Sequence, residues 1–328
     1  MSSSRPLVIV TRPIPTDWLS SLEKSCEVFV GLLSEAETQA RLAEAEGLYS
    51  LLIDRVDEAL LQKMPRVRVV SNMAVGVDNV DLAACTRHGI PVGNTPGVLT
   101  DATADLTMAL LLTAARRLPE ANADARAGRW GRWSPTAWLG ADLRGATLGI
   151  VGLGKIGQAV AARAMGFGLR LVYTARSAKP EAEAQWGAVR LPLQDLLRQS
   201  DFVIILVPLN AETRGLIGEN ELRAMKPSAI FINAARGPIV DTVALQRALS
   251  ENWIAGAALD VTDPEPLPPD HPLYTLPNCF IAPHIGSATR GTRRGMAELA
   301  CQNLLAGLEG RRLIHCANPE VYEVTRDA

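Results

Sequence analysis

The run TLGIVGLGKIGQAVAARA, Thr147 to Ala164, limits most strongly what this chain can fold into. A strand-length apolar stretch leads into Gly152, Gly154 and Gly157, and an apolar-periodic helical pattern follows. Each glycine of a G-x-G-x-x-G turn has its own task. The first permits a tight turn, the second lets the backbone approach a pyrophosphate, and the third lets helix and strand pack closely. The helix behind them offers unpaired N–H groups and the positive end of its dipole to the phosphates. Standing alone, the motif is equally a structural glycine turn. Set between a strand and a helix it points to dinucleotide binding, with Lys155 and Ile156 inside the same turn.

The end of the next strand bears on which dinucleotide. An NAD site has Asp or Glu about 20 residues past the glycines, bonding the ribose hydroxyls. This chain reads VYTARSAKP, with Ala175 where the acid would stand, then Arg176 and Ser177. No carboxylate repels a 2′-phosphate there, and a guanidinium can pair with one. An arginine at a strand end is commonplace by itself. Joined to the missing acid, it favours NADPH, with NADH as the weaker alternative.

The remaining chain alternates short apolar runs with amphipathic segments, the pattern of parallel α/β layers. Strand candidates are residues 7–10, 28–30, 49–53, 67–70, 202–207, 229–234, 255–261 and 279–282. Ser34 and Glu37 match a capping box. Gly93, Pro96 and Gly97 mark a break near residue 98, and Thr100 or Asp101 can cap the helical stretch ATADLTMALLLTAARR, apolar around most of its circumference. At 328 residues the chain is long enough for two domains. Its 33 basic and 35 acidic residues leave a net charge of −2, which gives no reason to expect nucleic acid or an anionic membrane surface as a partner. The apolar runs are too short to span a bilayer. Cys26, Cys85, Cys279, Cys301 and Cys316 are scattered without a CxxC pair, which reads as reduced thiols in a cytoplasmic protein with no metal site.

Ligands of open parallel sheets bind beyond the carboxyl ends of the strands. Three such ends carry unusual residues: Arg236 in AIFINAARGPIVD, Asp260 and Glu265 in AGAALDVTDPEPLP, and His284 in CFIAPHIGS. They suit reduction of a 2-oxo acid. Arginine offers a planar fork to a carboxylate, histidine can protonate a carbonyl oxygen near neutral pH, and a neighbouring acid can orient the imidazole. Taken singly, Arg236 could be a surface ion pair, Glu265 a loop-capping acid and His284 a satisfied core residue.

The segments SNMAVGVDNVD, NTPGVLTDATADL, GIVGLGKIGQA, INAARGPIVD, ALDVTDPEPLP and APHIGSAT together resemble the D-isomer-specific 2-hydroxyacid dehydrogenase family, over nearly the whole chain. Within it the likeness is to the glyoxylate reductase/hydroxypyruvate reductase branch. The resemblance implies two Rossmann-like α/β domains, a dinucleotide-binding domain inserted into a flavodoxin-like substrate domain. Residues 1–98 and 289–328 would form the substrate domain, and 99–288 the cofactor domain with a dimerisation arm. It implies that Arg236 holds the substrate carboxylate, His284 is the acid–base residue and Glu265 its partner. The backbone N–H groups of Val75 and Gly76 would complete the carboxylate site, and Ser287 would reach the substrate. Thr103, Pro208, Ala234, Arg236, Asp260, His284 and Gly286 would line the nicotinamide side. Trp138 matches a tryptophan supplied by the partner subunit of a homodimer.

The activity implied is NADPH-dependent reduction of glyoxylate to glycolate and of hydroxypyruvate to D-glycerate. A sibling alternative is 2-ketogluconate or another bulky 2-oxo acid. A different class, a dinucleotide-sensing corepressor, shares the fold and the Arg/Glu/His set, but Ala175–Arg176 weigh against it. The segment GRWGRWSPTAWLG holds Trp130, Trp133 and Trp138, half of the six tryptophans, and has no sustained helical period. Large apolar rings in such a loop favour burial against a partner.

Overall fold

The computed structural model describes residues 5–323. The chain divides into two compact units, one comprising Met1–Leu99 and Thr289–Ala328, the other Thr100–Ala288. The first unit holds strands β1 (Leu7–Val10), β2 (Glu27–Val30), β3 (Gly47–Ser50), β4 (Val69–Asn72) and β5 (Val92–Gly93). They pair in parallel in the order β2-β1-β3-β4-β5, the doubly wound order of flavodoxin-like sheets. β1, β3 and β4 are buried throughout, although Ser50 closes β3 and Ser71 and Asn72 close β4, whereas the edge strand β2 is half exposed. The helix Arg290–Leu308 returns the chain to this unit, and its Asn303 is fully buried. Asn303 Nδ2 donates to the Asn94 carbonyl at 3.0 Å, and its Oδ1 accepts from the His315 N–H at 3.1 Å.

The second unit holds β6 (Thr147–Val151), β7 (Arg170–Thr174), β8 (Val189–Arg190), β9 (Phe202–Ile205), β10 (Ile230–Asn233), β11 (Gly256–Leu259) and β12 (Cys279–Ile281). The order is β12-β11-β10-β9-β6-β7-β8, all parallel. Chain order reverses between β6 and β9, and this reversal is the switch point at which a Rossmann sheet opens its ligand crevice. Apolar clusters cover both faces. One of them takes in Ala104, Met108, Leu110 and Leu111 from the helix Thr100–Ala115, which accounts for that segment's apolar circumference.

Several local features differ from the sequence pattern. β3 stops at Ser50 because the Leu51 N–H donates to the Asp54 carboxylate at 2.8 Å and the chain turns there. The Ser34–Glu37 capping box does not form. That helix begins at Ala36 with Glu35 at its N-cap, and the Glu35 carboxylate accepts instead from the Leu32 N–H at 2.9 Å. The two-residue strands β5 and β8 are too short to leave a period in the sequence.

Candidate active site

The glycine turn follows β6. Gly152 has φ 104°, a left-handed conformation, and a Cβ there would lie 2.8 Å from the backbone at Leu206 and Val207. A Cβ on Gly157 would lie 2.3 Å from the Gly152 carbonyl oxygen, so helix and turn could not pack with a side chain at that position. Gly154 behaves differently: nothing lies within 4 Å of a Cβ built on it. It caps the 11-residue helix Lys155–Met165, and both Gly154 and Lys155 are exposed. Open space over a helix N-terminus fits a dinucleotide pyrophosphate, held by the first-turn N–H groups around Lys155, Ile156 and Gly157. Beyond β7, Ala175 is half-buried and Arg176 and Ser177 are exposed. Pro208 follows β9, where its carbonyl accepts from the Thr213 hydroxyl at 2.6 Å.

Arg236 sits in a turn fixed by the strand that precedes it. The buried Asn233 ends β10; its Nδ2 donates to the Arg236 carbonyl at 2.9 Å and its Oδ1 accepts from the Ala235 N–H at 3.1 Å. The turn includes Ala234, and the Arg236 Nη1 donates to the Ala235 carbonyl at 2.9 Å. Gly237 follows in close approach, since a Cβ on it would lie 1.8 Å from the Thr262 carbonyl oxygen. The turn that carries Arg236 is thereby pressed onto the loop that carries Glu265.

His284 is held by its backbone. It has φ 52°, which costs a non-glycine residue about 1–2 kcal/mol. Its N–H donates to the Asp260 carbonyl at 2.9 Å. The Asp260 carboxylate accepts from the Ile285 N–H at 2.7 Å and from the Gly286 N–H at 2.9 Å. Each charge-assisted bond is worth about 1.5–3 kcal/mol, enough to offset the strain. Asp260 is only 3% exposed. Burial pushes its carboxyl above the usual carboxylate range, against the pull of the Ile285 N–H, the His284 charge and the Gly286 N–H. Thr103, also buried, lies against Gly286, and Ser287 comes next on the loop.

The imidazole Nδ1 of His284 meets Glu265 Oε1 at 2.5 Å, with the two side chains 23% and 33% exposed. Nε2 has no partner among the described residues. Burial pushes the Glu265 carboxyl up, but the hydrogen bond from His284, the charge on that ring, the Thr262 N–H and the Arg236 guanidinium together hold it below the usual range. The second unit therefore brings Arg236, Asp260, Glu265, His284 and Gly286 together at the carboxyl ends of β10, β11 and β12.

Val75 and Gly76 belong to the first unit, in the loop after β4. Three successive carbonyls of that loop are occupied. Ala74 accepts from the Thr95 N–H at 2.8 Å, Val75 from Asn94 Nδ2 at 3.0 Å and Gly76 from Asn72 Nδ2 at 3.1 Å. In a trans peptide the N–H points opposite to the carbonyl. The N–H groups of Val75, Gly76 and Val77 thus point away from those partners, and none has a partner of its own among the described residues. Amides left without partners in this way can hold an anion. Trp138 makes its hydrogen bond outside the histidine cluster. It has φ 47°, and its indole N–H donates to Asp124 Oδ2 at 2.9 Å, which with Arg129 holds that carboxyl below its ordinary range.

Sequence reasoning missed the supporting amides Asn72, Asn94 and Asn233. Asn233 had one signal, a polar residue closing an apolar strand; the other two become informative only once their partners are known.

A Rossmann sheet whose strand ends carry a cation, a clamped buried acid and an acid–histidine pair defines a dinucleotide-dependent dehydrogenase. Residues 108–286 match the D-isomer specific 2-hydroxyacid dehydrogenase, NAD binding domain family, and the chain belongs to that family as an NAD(P)-dependent enzyme. The chain is 48% identical over 330 residues to the glyoxylate reductase of Thermococcus kodakarensis, covering 98% of this chain and 99% of that one. A Thermus thermophilus crystal structure is similar at a TM-score of 0.89 and 50% identity, covering 95% of this chain and 99% of the other. The NADPH-dependent glyoxylate/hydroxypyruvate reductase of Sinorhizobium meliloti, solved with NADP and malonate, is similar at a TM-score of 0.85 and 33% identity, covering 96% and 98% of the two chains.

The Glu265–His284 contact gives a pH-dependent expectation. Glu265→Gln keeps the side-chain shape while removing the negative charge that meets the His284 ring. Reductive kcat/KM of the wild type should fall as pH drops through the lowered Glu265 pKa, because protonation removes the charge facing His284, and Glu265→Gln should be lower throughout and lack that acid limb. A pH profile measured on both proteins checks this; an acid limb that Glu265→Gln keeps would leave Glu265 a structural role only.

Proposed function

We propose that this protein reduces glyoxylate to glycolate and hydroxypyruvate to D-glycerate, with NADPH as the preferred cofactor and NADH as a weaker one. The observation that carries the reading is the His284–Glu265 pair, with Nδ1 engaged and Nε2 left over, on a loop clamped by Asp260 and beside Arg236. Arg236 takes the substrate carboxylate in its fork, and Ser287 reaches the substrate. Thr103, Pro208, Ala234, Asp260 and Gly286 take the nicotinamide side. A reduced nicotinamide held there would supply the hydride. His284 Nε2 gives its proton to the carbonyl oxygen, and Glu265 holds the ring in the orientation for that transfer. The absent acid at Ala175, with exposed Arg176 and Ser177 following it, supports NADPH.

A substrate panel tests the reading. With NADPH, kcat/KM should be higher for glyoxylate and hydroxypyruvate than for pyruvate or 2-ketogluconate, because a pocket built for polar contacts is left unpaired by a methyl group. Arg176→Ala should raise KM for NADPH about tenfold to a hundredfold and leave KM for NADH unchanged. A preference for the sugar acid, or equal losses for both cofactors, would contradict the assignment.

We also infer a homodimer. Trp130 is 73% exposed, Trp133 85%, Leu139 64% and Leu118 52%, more apolar ring and aliphatic surface on one arm than a monomer leaves in water. Trp138 is assigned to the partner's substrate pocket, and the five unpaired cysteines suit a cytoplasmic enzyme. Subunits carrying Trp138→Ala, mixed with subunits carrying His284→Gln, should regain activity, since each heterodimer then has one site with both residues intact. No recovery in heterodimers shown to form would place Trp138 in its own subunit's site.

A further inference from the structure

Arg190 closes the edge strand β8 and is exposed. Its guanidinium spans two peptides of the neighbouring loop. Nη2 donates to the Ala175 carbonyl at 2.8 Å and to the Arg176 carbonyl at 3.0 Å, and Nε donates to the Ala175 carbonyl at 3.2 Å. The strand pairing sets up this reach: Tyr173 stands opposite Arg190, and the Leu191 N–H donates to the Tyr173 carbonyl at 2.8 Å. The side chain of Arg190 thus continues the ladder past the point where backbone pairing ends.

The consequence lies on the other side of the same peptides. With both carbonyls drawn toward β8, the N–H groups of Arg176 and Ser177 point away from it. Neither N–H has a partner among the described residues, and the same holds for the Arg176 guanidinium and the Ser177 hydroxyl. The far end of the loop is fixed as well. The Lys179 N–H donates to the Tyr173 hydroxyl at 2.7 Å, which in turn donates to Glu183 Oε1 at 2.6 Å. The carboxylate at that end is therefore engaged, and the loop offers donors and positive charge.

We propose that Arg190 is a positioning residue for a phosphomonoester on the 2′-oxygen of an adenosine: by holding the carbonyls of Ala175 and Arg176 it aims two amide N–H groups, the Ser177 hydroxyl and the Arg176 guanidinium at one dianion. This rests on the NADPH reading and adds to it a residue that does not touch the ligand. A fork is needed because two carbonyls are held at once; an ammonium serves one of them well.

The test is calorimetric binding of adenosine 2′,5′-bisphosphate and of adenosine 5′-monophosphate to the wild type, Arg190→Ala and Arg190→Lys. The wild type should prefer the bisphosphate. Arg190→Ala should bind the bisphosphate about tenfold more weakly with unchanged affinity for the monophosphate, and Arg190→Lys should fall between them. A wild type without the preference overturns the NADPH reading and this proposal with it. A wild type with the preference, and an Arg190→Ala that keeps it or loses both ligands equally, overturns the proposal alone.

Discussion

The arrangement of the histidine cluster depends on one buried carboxylate. Asp260 closes β11 and accepts from the Ile285 and Gly286 N–H groups, while its carbonyl accepts from the His284 N–H. Those bonds hold a histidine in a left-handed conformation that it would not keep alone. Everything downstream follows from that backbone. The ring is turned so that Nδ1 meets Glu265, and Nε2 is left without a partner among the described residues. The cost of burying the acid is visible in its raised pKa, and a hydrogen-bonded loop is what that cost obtains.

A second theme is that side chains here act by arranging backbone. Asn233 fixes the turn that carries Arg236. Asn72 and Asn94 occupy carbonyls in the loop after β4, and Arg190 occupies carbonyls in the loop after β7. In the last two cases the result is a set of amide N–H groups without partners among the described residues, facing away from the side chain that ordered them. Rigid donors of this kind need little reorganisation when an anion arrives, which is the advantage of preorganised sites.

How much of this could be read from sequence divides along physical lines. Gly152, Gly154 and Gly157 were legible because each answers a local demand: a left-handed turn, open space, and a close helix approach. Arg236, Asp260, Glu265 and His284 were legible because polar residues interrupt apolar runs at strand ends, where parallel sheets bind ligands. The resemblance of the quoted segments to a known family supplied the division into two domains. Asn72, Asn94 and Arg190 were not legible. Their significance lies in partners that only tertiary structure defines, and an exposed arginine on a two-residue strand has no pattern of its own. The ends of β3 and of the helix Ala36–Arg41 were displaced for a similar reason, since the carboxylates of Asp54 and Glu35 capture backbone N–H groups and turn the chain.

The most direct measurement of the account is the single-turnover rate of glyoxylate reduction in Asp260→Asn at saturating NADPH. An amide can accept from one of the two N–H groups but turns its own NH2 toward the other, so the loop loses a bond and His284 its fixed backbone. The rate should fall about a hundredfold, the scale at which misplacing a reacting group acts. A rate equal to that of the wild type would show that His284 needs no clamp and would contradict the account at its centre.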